Sequence, residues 1–292
     1  MLAAAALAGC PCSLIRKLSG GAWGAWLVRG RGGSNFVLKC LWDADWRGRL
    51  ASASAVVEAL RKRDAPVPRF VASGFDANLG TWYLLEWLDG HPAVRLTRPL
   101  LGQTLRFVEV QAGIGDEVPD AFDWRAEVER WLLSRASEIV ERTRLQSDAG
   151  ARLADELDCV FADGTLAGRP SPDAVHGDFL ATQLLVDDGR LAGVLDWDAA
   201  GRGERAQDLA LLLYNAFAQT DRLHLRPTPR TVYLPLARRG IDLVDPQVLG
   251  LYLAHEIGQG LGFVLDHNPP HVPWRIDLGL RALDLMRSAT GE

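Results

Sequence analysis

Lysine is almost absent from the sequence: 32 residues are lysine or arginine, but only Lys17, Lys39 and Lys62 are lysine. Acidic side chains number 37, the formal net charge is −5, and no five consecutive residues carry the same charge. Tight binding to nucleic acid requires concentrated positive charge that releases counterions from the phosphate backbone. We therefore expect no nucleic-acid partner, and each lysine becomes an individual candidate for function.

Cysteines and long apolar runs are also scarce. Cys10, Cys12, Cys40 and Cys159 are too irregularly spaced for a zinc site and are expected to be free thiols. The alanine-rich start, residues 1–10, lacks the basic residues of a secretory leader and is expected to form a helix. No segment matches the roughly 18 apolar residues of a membrane span. We expect a cytoplasmic protein without a membrane partner.

The 292 residues, 48% of them hydrophobic, have the composition and length of a folded chain with two lobes. Short apolar strands and one helix occupy residues 1–90, which end at the breaker Asp89-Gly90-His91-Pro92. The rest of the chain has mostly helical periodicity. We expect an N-terminal lobe over 1–90 with a hinge at about 86–92, followed by a helical C-terminal lobe over 91–292.

Individual elements follow from periodicity and breakers. Strands are predicted over 18–28, 35–42, 70–72 and 81–88, and helices over 50–63, 99–113, 123–146, 206–218, 246–264 and 276–288.

Lys39 lies on the second predicted strand, where alternation places it on one face with Val37 and Leu41. Such a lysine can extend along a half-exposed sheet to reach water. It can equally stand at the wall of an apolar cleft, where its charge favours a phosphate. The residues around it leave both interpretations open.

Asp188-Gly189, between two apolar runs, predicts the turn of a β-hairpin. Counting outward from that turn places Gln183 opposite Val194, so Gln183 and Asp196 emerge at the open end of the hairpin. Asp178 stands five residues before Gln183, in a loop that can return to the same end. Two carboxylates and an amide oxygen are thus expected to converge, and hard oxygen ligands of this kind suit Mg²⁺.

These features together resemble the aminoglycoside phosphotransferase and choline kinase branch of the protein-kinase-like fold, over nearly the whole chain. The resemblance implies an α+β bilobal protein, with a small antiparallel-sheet lobe containing one main helix and a larger, mostly helical lobe. Its most specific motifs come last in the chain. The matching segments are Gly20-Gly21, Lys39, Pro66-Val67-Pro68, Leu85-Glu86-Trp87-Leu88-Asp89-Gly90, His176-Gly177-Asp178, Asp196-Trp197-Asp198 and Gln207-Asp208-Leu209-Ala210.

The resemblance implies a role for several of these residues. Asp178 would orient the acceptor hydroxyl and take its proton, Asp196 and Gln183 would hold Mg²⁺, and Lys39 would contact the α and β phosphates of ATP or GTP. Supporting roles are implied for others: nucleotide binding for Gly20, Gly21, Glu86, Trp87 and Leu88, and structural support of the catalytic loop for His176 and Asp208.

Two departures from the family pattern stand out. Gln183 replaces the asparagine expected five residues after Asp178, although its amide oxygen can still bind a metal. The helix glutamate that pairs with the strand lysine is expected near Ala53, where no acid occurs. Glu58, about 140° around the helix from that position, is a candidate partner for Lys39, and a solvated surface charge is the competing interpretation.

The acceptor is expected to be a hydroxylated small molecule bound against the C-terminal lobe. Residues 206–292 contain nine acids and eight arginines, so a neutral nucleoside-type antibiotic or macrolide is as good an expectation as a polycationic aminoglycoside. Candidate acceptor-binding residues are Asp198, His255, Glu256 and Asp266.

Three functions compete. The first is a kinase that moves the γ-phosphoryl group of ATP or GTP to an antibiotic or related natural product, in resistance or biosynthesis. The second is a nucleotide-binding pseudokinase that acts as an interaction module, suggested by Gln183 and the absent helix glutamate. The third is a metal-dependent phosphoester hydrolase, disfavoured because the other histidines lack ligand-like spacing with His176.

Overall fold

The structure is a computed structural model that describes residues 12–18, 24–41, 46–76, 80–217 and 226–291. The expected first helix and the nucleotide-binding candidates Gly20 and Gly21 lie outside these residues. Strands are β1 (Cys12–Leu18), β2 (Ala25–Gly30), β3 (Asn35–Leu41), β4 (Phe70–Asp76), β5 (Gly80–Glu86), β6 (His91–Pro92), β7 (Asp173–Val175), β8 (Leu184–Asp187), β9 (Arg190–Val194) and β10 (Gly201–Gly203). Helices are α1 (Trp46–Arg61), α2 (Arg98–Val110), α3 (Ile114–Glu117), α4 (Trp124–Ser134), α5 (Ala136–Arg144), α6 (Asp148–Asp163), α7 (Ala206–Asn215), α8 (Arg230–Leu243), α9 (Pro246–His267) and α10 (Val272–Thr290).

A five-stranded antiparallel sheet, ordered β1-β2-β3-β5-β4, forms the N-terminal part of the molecule. Strand β3 is central, and its Lys39 lies directly opposite Ala25 on one neighbour and Tyr83 on the other. The edge strand β1 was not predicted, because its residues are exposed along almost the whole strand and show no apolar alternation. The sheet followed by helices agrees with the predicted α+β architecture.

Helix α1 packs on the sheet through Leu50, which joins Leu41, Tyr83 and Leu85 in a small buried cluster. Its other apolar side chains, including Val56, belong to the large core that continues into the helical part of the chain. The helix ends at Arg61 before Pro66 and Pro68, as the prolines predicted. One helix thus connects both cores, while the division of the chain at residue 90 stays a prediction.

Three helices of the helical part were not predicted from the sequence: the one-turn α3, and the longer α6 and α8. Helix α6 begins at the N-cap Ser147, whose hydroxyl accepts a hydrogen bond from Gly150 N. Helix α8 contains Pro235, although a proline removes one backbone hydrogen bond from a helix interior. The single helix predicted over 123–146 is wrong, since it divides into α4 and α5 at Arg135, whose φ of −127° is not helical.

Contrary to expectation, one described helix is long and apolar enough to cross a membrane by length and composition. Helix α9 has 22 residues and a mean hydropathy of 1.3 over its most apolar window. That window is 67% buried within the protein, however, and includes the fully buried Leu249, Tyr252 and Ile257. The helix therefore forms the centre of the C-terminal core.

The predicted hairpin is formed by β8 and β9, with Asp188 and Gly189 at φ of 45° and 73° in the turn. An irregularity between Leu185 and Val186 shifts the register, so Leu184, and not Gln183, lies opposite Val194. Of the predicted free thiols, Cys40 and Cys159 form no disulfide, and Cys10 lies outside the described residues.

Candidate active site

The buried carboxylate of Asp208 on α7 holds the loop that carries Asp178. This carboxylate accepts hydrogen bonds from the backbone N–H of His176 (2.8 Å), from that of Gly177 (3.1 Å) and from Gln111 Nε2 (2.7 Å). Burial raises the pKa of Asp208, although these donors favour its charged form. Asp208 thus fixes the backbone immediately before Asp178.

His176 joins the loop to the strand end that carries Asp196. Its Nδ1 accepts from the backbone N–H of Asp178 at 3.1 Å, so in a neutral ring the proton is on Nε2, which donates to Leu195 O at 2.7 Å. The fully buried ring packs 4.5 Å from Trp197 and 5.6 Å from Phe179, between centroids. His176 is therefore placed for the supporting role implied by the sequence resemblance.

Gly177 is required by both backbone conformation and space. Its φ is 82°, and a Cβ atom there would lie 2.5 Å from the indole of Trp124. Trp124 in turn donates from Nε1 to Ala199 O at 2.9 Å, just beyond the Asp196-Trp197-Asp198 motif. The first residue of α4 thus holds both loops of the site.

Asp178, Gln183 and Asp196 meet in one place. Gln183 Nε2 lies 3.3 Å from Asp178 Oδ2 and 3.4 Å from Asp196 Oδ2. Asp196 has a left-handed φ of 69°, which turns the chain sharply at the end of the hairpin. The two strand ends therefore bring these side chains together despite the shifted hairpin register.

Burial controls the charge of both carboxyl groups. It raises the pKa of Asp178 from an ordinary 3.8 to about 6, and the nearby carboxylates of Asp196 and Asp198 act in the same direction. Burial alone would also raise the pKa of Asp196, but the ammonium of Lys39 outweighs it and lowers that pKa. Asp178 thus has a pKa close to neutral pH, and it lies beside Asp196, which stays ionised.

Lys39 is buried, with only 8% of its surface exposed. Its ammonium contacts Asp196 Oδ1 and lies 3.0 Å from Asp198 Oδ2, which also accepts from the hydroxyl of Tyr83 at 2.9 Å. Burial by itself lowers the pKa of an ammonium, but Tyr83, Asp196 and Asp198 outweigh it and raise the pKa of Lys39 well above its usual value. Of the two interpretations, the structure favours the buried ammonium.

Glu58 does not join this cluster, because it lies on the exposed face of α1. Near the expected position of the helix glutamate, Ser52 is buried instead. Its hydroxyl donates to Ala200 O at 3.0 Å and accepts from the backbone N–H of Phe122 at 2.8 Å. The helix is thus attached to the loop after the metal motif by a neutral side chain.

The hinge candidates connect the sheet to the helical part. Glu86 accepts from Arg61 Nη1 at 3.0 Å, and Trp87 donates from Nε1 to Asp89 at 2.9 Å. Leu88 packs so closely on Gly193 that a Cβ atom there would lie 2.6 Å from it. The side chains of this segment are therefore engaged within the protein, and the Glu86 N–H donates to Arg69 O at 3.0 Å.

The acceptor candidates lie in two places. Asp198 belongs to the Lys39 cluster, whereas the buried His255 contacts Glu256 (3.2 Å) and packs its ring edge-on against Trp131 at 4.9 Å. Asp266 lines an adjoining cavity of about 290 Å³ and pairs with Arg142 at 2.8 Å. Trp131 is two helical turns from the start of α4, about 10 Å along the helix axis from Trp124.

Sequence reasoning missed Tyr83, Ser52, Gln111 and Trp124. Tyr83 could have been found by pairing β3 with β5, which places it directly opposite Lys39. The other three contact backbone atoms of distant segments, and no local pattern marks such contacts.

The donor set fits Mg²⁺, although within the described ranges no three His, Cys, Asp or Glu side chains form a metal cluster. Mg²⁺ keeps several waters and needs only one or two protein carboxylates besides phosphate oxygens. Asp196 supplies an ionised carboxylate, and Gln183 supplies an amide whose nitrogen now faces the carboxylates. A dense protein cage is therefore not required here.

The sheet and the helices after it form a kinase-like fold, as predicted, and the protein is a phosphotransferase that acts on hydroxyl groups. Residues 15–248 match the phosphotransferase enzyme family (APH), and the chain belongs to that family.

Solved structures similar to the chain include several antibiotic-modifying enzymes. Aminoglycoside phosphotransferase APH(4)-Ia, as a thermostable mutant with ADP and hygromycin B, is 16% identical over 97% of both chains, with a TM-score of 0.66. Macrolide 2'-phosphotransferase MphH from Brachybacterium faecium is 18% identical over 97% of this chain and 96% of its own, with a TM-score of 0.58. The type VIII aminoglycoside-3'-phosphotransferase is 23% identical over 84% of this chain and 93% of its own, with a TM-score of 0.54. These likenesses concern the fold, and no curated protein matches the chain significantly.

Proposed function

We propose that the protein transfers the γ-phosphoryl group of ATP or GTP to a hydroxyl of an antibiotic or related natural product. The observation that supports this most directly is the convergence of Asp178, Gln183 and Asp196 beside the buried Lys39. Phosphoryl transfer needs positioned charge more than covalent help from the protein, which is why so few side chains suffice.

On the acceptor side, Asp178 orients the hydroxyl and takes its proton. A carboxyl group whose pKa lies at about 6 is mostly ionised at neutral pH, yet is more basic than an ordinary aspartate. Its backbone N–H is fixed by His176 Nδ1, so the loop presents the carboxylate in one place.

On the nucleotide side, Lys39 contacts the α and β phosphates, and the backbone of Glu86, Trp87 and Leu88 meets the base. Asp196 and Gln183 hold Mg²⁺, which neutralises phosphate charge when bound. Gly20 and Gly21 cover the phosphates in this proposal, which for them rests on the sequence alone.

Two observations bear on the acceptor. The APH(4)-Ia structure contains hygromycin B, and MphH is named for macrolides. Polycationic aminoglycosides, macrolides and nucleoside-type antibiotics are therefore all candidate acceptors. Asp266 is already paired with Arg142 and Arg135, which reduces its value for binding a polycation. Antibiotic resistance or biosynthesis in the cytoplasm is the setting we propose, without nucleic-acid or membrane partners.

A mass-spectrometric screen tests the proposal. The wild type is incubated with Mg²⁺, either ATP or GTP, and panels of aminoglycosides, macrolides and nucleosides, and products one phosphoryl group heavier are sought. Asp178→Asn is expected to lower turnover by at least about 100-fold while still binding nucleotide. The exposed Asp187 of the hairpin turn provides a matched control, and Asp187→Asn is expected to be fully active.

Other outcomes identify the competing functions. Nucleotide binding with no phosphorylated product from any acceptor would indicate a pseudokinase. Phosphate release from a monoester without nucleotide would indicate a hydrolase, and a fully active Asp178→Asn variant would remove Asp178 from its role.

A further inference from the structure

The buried ammonium of Lys39 has no acid on the helix that packs beside its strand. Glu58 of α1 is exposed, and the inward positions Ser52 and Ala53 are neutral and at most 7% exposed. An ammonium in a low-dielectric site is costly without a counter-ion. Its negative partners must therefore come from elsewhere in the fold.

Two carboxylates, both from the loop after β9, contact this ammonium. Asp196 Oδ1 contacts Lys39 Nζ directly, and Asp198 Oδ2 lies 3.0 Å from it. Only the Asp198 carboxylate is also held by a second donor from the sheet, the Tyr83 hydroxyl at 2.9 Å. Tyr83 is 1% exposed and lies opposite Lys39 in the strand register, so this contact is fixed by the sheet itself.

The two carboxylates are not equivalent once the cleft is loaded. Asp196 faces Gln183 and Asp178 through Oδ2, in the position we propose for the metal. Asp198 instead contacts Lys39 and the Tyr83 hydroxyl through Oδ2, and is 9% exposed. A cation bound at Asp196 competes with Lys39 for that carboxylate, whereas Asp198 is free of this competition.

We propose that Asp198 is the fixed counter-ion of Lys39, taking the place of a helix glutamate, with Tyr83 holding its carboxylate. The inference rests on the proposed function, because the phosphates are what the positioned ammonium contacts. Asp198 is a positioning residue that acts through Lys39, and it is thereby removed from the acceptor-binding candidates.

In this arrangement the acid that pairs with Lys39 comes from the loop after β9 and not from helix α1. The helix is attached to the same loop independently, through the bonds from Ser52 to Ala200 O and from Phe122 N to Ser52. The placement of Lys39 therefore depends on the loop conformation that also presents Asp196.

A double-mutant cycle on nucleotide affinity tests the proposal. Kd values for Mg²⁺–ATP, Mg²⁺–GTP, adenosine and guanosine are measured calorimetrically for the wild type, Lys39→Met, Asp198→Asn and the double variant. Each single variant is expected to weaken binding of the preferred triphosphate by about tenfold or more, and the double variant by no more than about twofold beyond Lys39→Met. Nucleoside affinity is expected to stay unchanged, which a general structural defect would not allow.

Tyr83→Phe provides a second, milder variant should Asp198→Asn fail to fold. It is expected to weaken triphosphate binding several-fold, because Asp198 loses its second donor. Tyr252→Phe is the matched control: Tyr252 is fully buried and donates to Glu204 at 3.2 Å, away from the cleft. That variant is expected to bind nucleotide like the wild type.

The melting temperatures of the same four proteins, measured without nucleotide, test the Lys39–Asp198 ion pair independently of nucleotide binding. If Lys39 and Asp198 are partners, the double variant loses less than the sum of the two single losses, since neither charge is left buried and unpaired. A wild type that binds neither nucleotide contradicts the proposed function, while this cycle still decides the pairing.

Three results would overturn the proposal: additive losses in melting temperature, additive losses in triphosphate affinity, or an Asp198→Asn variant with unchanged triphosphate affinity. Additive affinity losses together with a changed Mg²⁺ requirement would instead assign Asp198 to the metal.

Discussion

Asp178 illustrates how a functional carboxyl group reduces the stability of the free protein. Burial raises its pKa from 3.8 to about 6 in the folded state, so ionisation costs more there than in the unfolded chain. Below about pH 4 the group is protonated in both states and has no effect. As pH rises through 6, the folded state bears the full cost of the buried charge, and stability is lost.

Asp178→Asn removes that charge and is expected to stabilise the free protein at high pH. The gain should be about 1–3 kcal/mol at pH 8 and should vanish near pH 4, measured as unfolding free energy by urea titration. Asp187→Asn, in the exposed turn, should show no such pH dependence. An equal effect of Asp178→Asn at both pH values would contradict the buried, raised-pKa carboxyl.

At the scale of elements, one hydroxyl group joins α1 by hydrogen bonds to two distant segments, one of them the loop after Asp198. Ser52 accepts from Phe122 N and donates to Ala200 O, two bonds that connect the helix to residues 70 and 148 positions away in the chain. Removing the hydroxyl leaves a partly buried N–H and a buried carbonyl without that partner, and each unsatisfied group is costly.

Ser52→Ala is therefore expected to lower the unfolding free energy by about 1–3 kcal/mol and to weaken triphosphate binding. The comparison variant is Ser134→Ala on α4, since Ser134 is exposed and its hydroxyl donates only within its own helix, to Arg130 O at 2.8 Å. That change should cost less than about 0.5 kcal/mol. Equal losses in the two variants, measured by chemical denaturation, would show that the Ser52 contacts do not hold the helix.

At the scale of the whole molecule, the sequence predicted what local chemistry determines. The Asp188-Gly189 turn and the prolines after α1 were identified because turns and breakers act over a few residues. The spacing from Asp178 to Gln183 and Asp196 placed three side chains correctly at one end of the hairpin, even though the register shifts by one residue.

What the sequence did not predict depends on packing between distant segments. Helix α8 forms around Pro235 because Leu236 and Ala237 are buried in the common core, which outweighs the missing backbone bond. The Tyr83–Asp198 contact joins residues 115 positions apart, and only the pairing of β3 with β5 brings Tyr83 to the cleft. Similarly, Arg135 separates α4 from α5, and no glycine or proline in the sequence marks this break.

Because the cleft lies between the sheet and the helical core, a bound nucleotide should stabilise the whole molecule. Mg²⁺ with ATP or GTP at about 100 times Kd is expected to add about 2.7 kcal/mol, which corresponds to a rise in Tm of about 5 °C. Asp196→Ala should abolish this rise, because it removes both the metal carboxylate and a partner of Lys39. The nucleotide-induced rise in Tm is compared between the two proteins, because Asp196→Ala also changes the Tm of the nucleotide-free protein. Chelation of Mg²⁺ should reduce the wild-type increment in the same way, whereas an increment that survives both changes would place the nucleotide away from Asp196.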